Sequence, residues 1–174
     1  MIPAKLEVFA EKLVARFKKE STFINTADEA KKNETTWDAA IRMRTRPIIK
    51  DVYLEIFDES PVERVYFEGE GRGLSERGVS MSKLFGSSVF PDALILKPFK
   101  TAIEFDHSKS KGKPGASFKM ALAKAAFNYL SHNWDYCLLL FYNGTGQELS
   151  LEGETEKEIL RKYLNEFNTK CYVI

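Results

Sequence analysis

Three carboxylates stand where they could do chemistry together. Asp92 follows Pro91 at the start of an apolar run, and Glu104 and Asp106 lie two residues apart in a second run, TAIEFDH. Residues two apart on a strand project from the same face, about 6.5 Å apart along the chain. Glu104 and Asp106 therefore share a face with Ala102, while Ile103 and Phe105 take the other. A hairpin of the two runs pairing residue n with 197−n or 198−n sets Asp92 opposite positions 105–106, so that three carboxylates converge on one patch. Like charges so placed repel unless a cation sits among them. Mg²⁺ is commonly held by one or two carboxylates with waters and a phosphate, and a carboxylate cluster bordered by lysines suits metal-assisted attack on a phosphodiester. The plainer alternative is that these are solvated carboxylates paired with nearby lysines.

The lysines are present. Between residues 97 and 124, Lys97, Lys100, Lys109, Lys111, Lys113, Lys119 and Lys124 face only Glu104 and Asp106, a local excess of five positive charges in a chain of net charge +1. Such asymmetry suits a surface that tracks phosphates. Arg72 and Arg77, in a Gly-flanked stretch, are further candidates for phosphate contact, and the Lys109, Lys111 and Lys113 loop is the main candidate nucleic-acid-binding segment. A solvated, flexible face is the competing reading of each. With 26 basic and 25 acidic residues, the whole chain is not a polybasic binder.

These residues need a frame. The chain has 174 residues, 44% hydrophobic and 13% aromatic, enough for one domain with a real core. No apolar run is long enough to span a membrane. The amphipathic N-terminus is unlike a signal peptide, and two cysteines in apolar runs, Cys137 and Cys171, read as buried thiols of a reducing cytoplasm, with a disulfide between neighbouring strands as the alternative. Apolar residues at three- and four-residue spacing predict helices over 4–19, 36–46, 116–132 and 154–168, with Pro47 breaking or kinking the second; residues 48–57 are ambiguous between helix and strand, their four-residue spacing favouring helix. Strands are predicted over 62–68, 92–97, 101–107, 136–142 and 171–174. The unalternating run at 136–142 reads as a strand covered on both faces. Residues 69–90, rich in Gly and Ser, read as a long loop. The strand–helix–strand piece over 101–142 predicts a parallel crossover.

Within that order, PDALIL at 91–96, TAIEFD at 101–106, a basic loop and an Ala-rich helix resemble the PD-(D/E)xK nuclease superfamily, which includes restriction endonucleases and Holliday-junction resolvases. The resemblance covers residues 45–143. It implies an α/β fold with a restriction-endonuclease-like αβββαβ core, a mixed sheet flanked by helices. A single domain over 1–174 would then comprise an N-terminal helical segment (1–45), the core (46–143) and a C-terminal helix and short strand (144–174). It implies a metal-dependent nuclease hydrolysing DNA, with RNA the alternative substrate. Asp92 and Glu104 would hold Mg²⁺, or Mn²⁺ in its place, with the Phe105 backbone carbonyl and Asp106 as further ligands. The motif's lysine position is occupied by Asp106, a departure from the pattern. A lysine supplied from elsewhere would restore the charge, and Lys119, beside the apolar face of the following helix, is the first choice. Glu55, on the helix before the first strand, is the candidate auxiliary acid. Two-fold substrates favour a homodimer or a partner subunit. The rival reading, motivated by the missing lysine, is a non-catalytic nucleic-acid-binding or assembly subunit of the same fold. A third is an unrelated α/β domain.

Overall fold

Apolar spacing along the chain is resolved into two layers of helix around one sheet. The structure, a computed structural model, describes residues 2–19, 34–68, 70, 83–84, 87–88, 91–108, 114–130, 134–143, 147 and 149–174. Its helices are α1 (Ala4–Lys19), α2 (Glu34–Phe57), α3 (Pro114–Leu130) and α4 (Glu154–Phe167). Its strands are β1 (Val65–Phe67), β2 (Lys83–Leu84), β3 (Ser87–Ser88), β4 (Ala93–Ile95), β5 (Thr101–Ser108), β6 (Tyr136–Asn143) and β7 (Thr169–Val173). Strands β2 and β3 pair with each other as a small antiparallel ladder inside the segment read from sequence as a loop. The other five form one mixed sheet in the order β1-β4-β5-β6-β7. Its β1–β4 and β4–β5 pairs are antiparallel, and β5–β6 and β6–β7 are parallel. The predicted α/β class and the parallel crossover from β5 through α3 to β6 are thus observed. The first sheet strand is shorter than the seven residues expected, because residues 61–64 turn: the Arg64 and Val65 amides both donate to the Pro61 carbonyl.

Each face of the sheet is closed by a pair of helices. Leu6, Phe9, Ala10, Leu13 and Phe17 form the buried stripe of α1. With Ile49, Val52, Tyr53 and Phe57 of α2 they cover Ile103, Phe105, Leu138 and Leu140. Phe17 meets Phe105 edge-on at 5.6 Å, and Tyr53 lies 4.9 Å from Phe57. On the opposite face Phe118, Ala121, Leu122 and Ala125 of α3 cover Ala102, Cys137, Leu139 and Phe141. Strand β6 is buried on both sides, which is why its sequence lacks alternation.

Pro47 does not end a helix. It sits inside α2, which runs unbroken through it. Its ring is on the exposed side, where water can serve the carbonyl it leaves unpaired, while Thr45, Ile49, Val52 and Tyr53 remain buried on the other side. Among the described residues no helix is long and apolar enough to cross a membrane.

Candidate active site

The site is set by register. Ala93 pairs with Ile103 and Ile95 with Thr101, so residue n faces 196−n and Asp92 stands beside Glu104. This is one to two residues from the pairing expected from sequence. On the other edge of β4 the Leu96 amide donates to the Arg64 carbonyl at 2.7 Å, continuing the β1–β4 ladder. Asp92 is fixed at both ends: its carbonyl accepts the Glu68 amide at 3.2 Å, and its Oδ2 accepts the Phe105 amide at 2.8 Å.

Glu104 is fully buried beneath α3. The Lys124 ammonium reaches down from α3 to within 2.7 Å of Glu104 Oε2 and 3.8 Å of Asp92 Oδ2. The lysine side chain is half-exposed, a charged head at the end of an apolar stem. Ala121 and Ala125, both fully buried, let the helix come close enough for that reach. Burial first, then the neighbouring Asp92, pushes the Glu104 carboxyl up to about 8, and the Lys124 charge only partly opposes them. A hydrogen bond with Asp92 adds to the rise. Burial lowers the affinity of Lys124 for its proton, but the adjoining carboxylates outweigh this and hold it charged.

Asp106 lies on the same face, half-buried, and its Oδ1 accepts the His107 amide at 2.7 Å. Its carboxyl is raised by burial and feels both Lys124 and Asp92. The expected gathering of three carboxylates is realised as two: among the described residues no three His, Cys, Asp or Glu side chains stand together as a metal centre. Two carboxylates side by side, one fully buried and one partly exposed, nonetheless fit a hard divalent cation that takes its remaining ligands from water and phosphate. Phe105, whose carbonyl was a candidate ligand, turns its ring into the opposite core.

The other candidates are placed elsewhere. Lys119 is exposed and lines a groove with Leu122, Leu149 and Leu160, between α3 and α4. Glu55 lies on α2, paired with Lys12 and with Arg16 at 3.8 Å, and is not brought to Asp92 and Glu104. Arg72, Arg77, Lys109, Lys111 and Lys113 lie outside the described residues. Cys137 and Cys171 are free thiols, as expected. Burial raises both, and Glu104 adds to the rise at Cys137.

Lys124 is the residue that sequence reasoning passed over, counted only within the basic segment. At 3.6 residues per turn, Lys119 and Lys124 flank the apolar face of α3 by about the same angle, roughly 110°, on opposite sides. Helical periodicity alone cannot choose between them. The sheet order chooses: α4 packs beside one flank of α3, and β5 and Asp92 lie under the other.

Compared with known proteins, the chain has no significant match to a family model, a curated sequence or a solved structure.

Proposed function

We propose that this protein is a metal-dependent nuclease of the PD-(D/E)xK kind, hydrolysing DNA phosphodiester bonds, with Asp92 and Glu104 as metal ligands and Lys124 in the role of the motif's lysine. One observation carries the reading. Two carboxylates twelve residues apart and a lysine from the next helix meet at one point, in a protein whose sequence motif contains the carboxylates but not the lysine.

Mg²⁺, when bound, would polarise the phosphoryl oxygens and lower the pKa of the attacking water. The chain's own residues do the rest. Glu104 must give up its proton for the cation to enter, so binding releases a proton below about pH 8 and tightens as pH rises. The Phe105 amide holds Asp92 in orientation. Lys124, kept charged by its neighbours, places a fixed cation where negative charge builds on the phosphorus oxygens in the transition state. Asp106, on the same face, orients water or adds a ligand. Cutting both strands of a duplex would call for two such sites, in a homodimer or with a partner subunit.

A second reading has its own support. Lys124 already sits against both carboxylates, and a site neutralised in this way suits a nucleic-acid-binding or assembly subunit that has dispensed with metal. The test is cleavage of labelled single-stranded, duplex and branched DNA in Mg²⁺, Mn²⁺ or EDTA, alongside calorimetric titration of Mg²⁺ in buffers of different ionisation enthalpy. Metal-dependent cutting abolished by Glu104→Ala, with proton release on Mg²⁺ binding, is the expected result. DNA binding without cutting or Mg²⁺ uptake would transfer the assignment to the subunit reading.

A further inference from the structure

A cleft lies at the start of the strand that carries Glu104. Phe99, Tyr129, Trp134, Asp135, Tyr136 and Asn168 line a cleft of about 390 Å³, within the range of about 300–1,000 Å³ typical of small-molecule sites. Four of the six side chains are aromatic. Phe99, Tyr129 and Tyr136 are each partly exposed, whereas Trp134 is 4% exposed and forms the floor. The rings are held at fixed angles, Phe99 edge-on to Tyr136 at 6.1 Å and Tyr129 edge-on to Phe167 at 6.2 Å. The Trp134 indole N–H is buried with no acceptor among the described residues.

The rim is polar and charged. The Asp135 carboxylate is exposed and located by the Lys100 amide, which donates to its Oδ2 at 3.3 Å, while the Asp135 amide donates to the Lys100 carbonyl at 2.8 Å. The exposed side chains of Lys97 and Lys100 flank the same connection between β4 and β5. Aromatic faces, a hydrogen-bond acceptor and adjacent ammonium groups together match a base, its amino edge and its phosphates.

We infer that this cleft seats one unpaired nucleobase of single-stranded DNA. The inference rests on the nuclease reading for its purpose, though not for its test. Thr101, which pairs with Tyr136 at the cleft, is three residues from Glu104 on β5. That is about 10 Å of strand, or roughly three stacked nucleotides at about 3.4 Å each. Tyr129 follows Lys124 by five residues on α3, about 7.5 Å of helix. A strand with its scissile phosphate at Glu104 and Lys124 would have to pass over the end of the sheet to bring a base a few nucleotides away to the cleft, because Phe99 and Tyr136 pack on the α1 and α2 side. Stacking of this kind tolerates any base. Asp135 adds a preference for guanine, whose N1–H and exocyclic amine can both donate to one carboxylate.

The test is fluorescence anisotropy of labelled single-stranded decanucleotides in EDTA, with one abasic residue placed at each position in turn. One abasic position should weaken binding on the order of tenfold, while the same substitution elsewhere does little. In Phe99→Ala and Tyr129→Ala that penalty should fall to within about twofold. Asp135→Asn, an exposed and isosteric change that leaves the packing intact, should keep the penalty but erase the guanine preference at that position. A flat abasic profile, no binding of any oligonucleotide, or a penalty unchanged in the ring variants would each overturn the inference. Because no cleavage is read, a protein that shows this pattern but never cuts DNA keeps the cleft and loses only the nuclease reading. One that cuts DNA with a flat abasic profile keeps the nuclease and loses the cleft.

Discussion

The two faces of β5 carry opposite tasks on alternate residues. Toward α1 and α2 the strand presents Ile103 and Phe105, in a core built mainly from apolar and aromatic side chains. Toward α3 it presents Ala102, Glu104 and Asp106, with a lysine leaning over them. One face contributes apolar burial, worth about 25 cal/mol for each Å² removed from water. The other places a carboxyl in a fully buried position where its charged form is disfavoured. The difference teaches that the same strand can be rigidly held from one side so that ionisable groups can be kept in an unfavourable setting on the other.

The largest effect is expected on the apolar side. Phe9→Ala in the buried stripe of α1 should cost about 3–5 kcal/mol of stability, read by urea unfolding, while cleavage per folded molecule stays near that of the wild type. A comparable loss of specific activity in the remaining folded protein would show that the two faces are not separable. On the charged side, Lys124→Met should reverse the pattern. Cleavage should drop roughly 10²–10³-fold, the scale of removing one preorganised transition-state charge, with the melting temperature little changed at acid pH. Cleavage at the wild-type rate would remove Lys124 from the mechanism.

Glu104→Gln sharpens the comparison through pH. The folded-state value of about 8 lies above the ordinary carboxyl value of 4.5, so the folded protein binds this proton more tightly than the unfolded chain. The stability it confers is complete below the unfolded value and is lost as pH rises through about 8. Wild-type stability should therefore decline between about pH 5 and pH 8 with a slope approaching, at most, about 1.4 kcal/mol per pH unit. Asp106, also raised, adds a decline of the same sign. The Gln variant should be flatter across that window and the more stable of the two at pH 8. Parallel curves would mean that Glu104 is ionised throughout. The smallest effect belongs to Lys119→Ala, which should leave cleavage within about twofold, since Lys119 borders the groove beside α4. A large loss there would restore it as the lysine of the motif.

Much of this frame was readable from the sequence because alternation and helical spacing report which residues share a face. Glu104 and Asp106 fall on one side of β5 by period alone, and β6 declares its double burial by lacking a period. What escaped depended on neighbours distant in sequence. The path of α2 through Pro47 is decided by Ile49 and Tyr53 docking beneath α1, which outweighs the missing amide. The β4–β5 register is fixed by contacts across the sheet, such as the Phe105 amide on the Asp92 side chain, that local spacing does not report. The choice of Lys124 over Lys119 needs the order of strands beneath α3. Glu55 looked available for chemistry because Lys12 and Arg16, its partners, belong to another helix.

The hydrogen bond between the Phe105 amide and Asp92 has a practical use. Strand amides ordinarily donate to a neighbouring backbone carbonyl, but the amide of Phe105 donates to the Asp92 side chain at 2.8 Å. Whatever alters that carboxylate, whether a proton, a cation or a nearby phosphate, alters the electron density on this one nitrogen. In an isotopically labelled sample its resonance would work as an internal indicator, reporting the state of the site at every pH and metal concentration without a chemical tag, a substrate or a substitution near it.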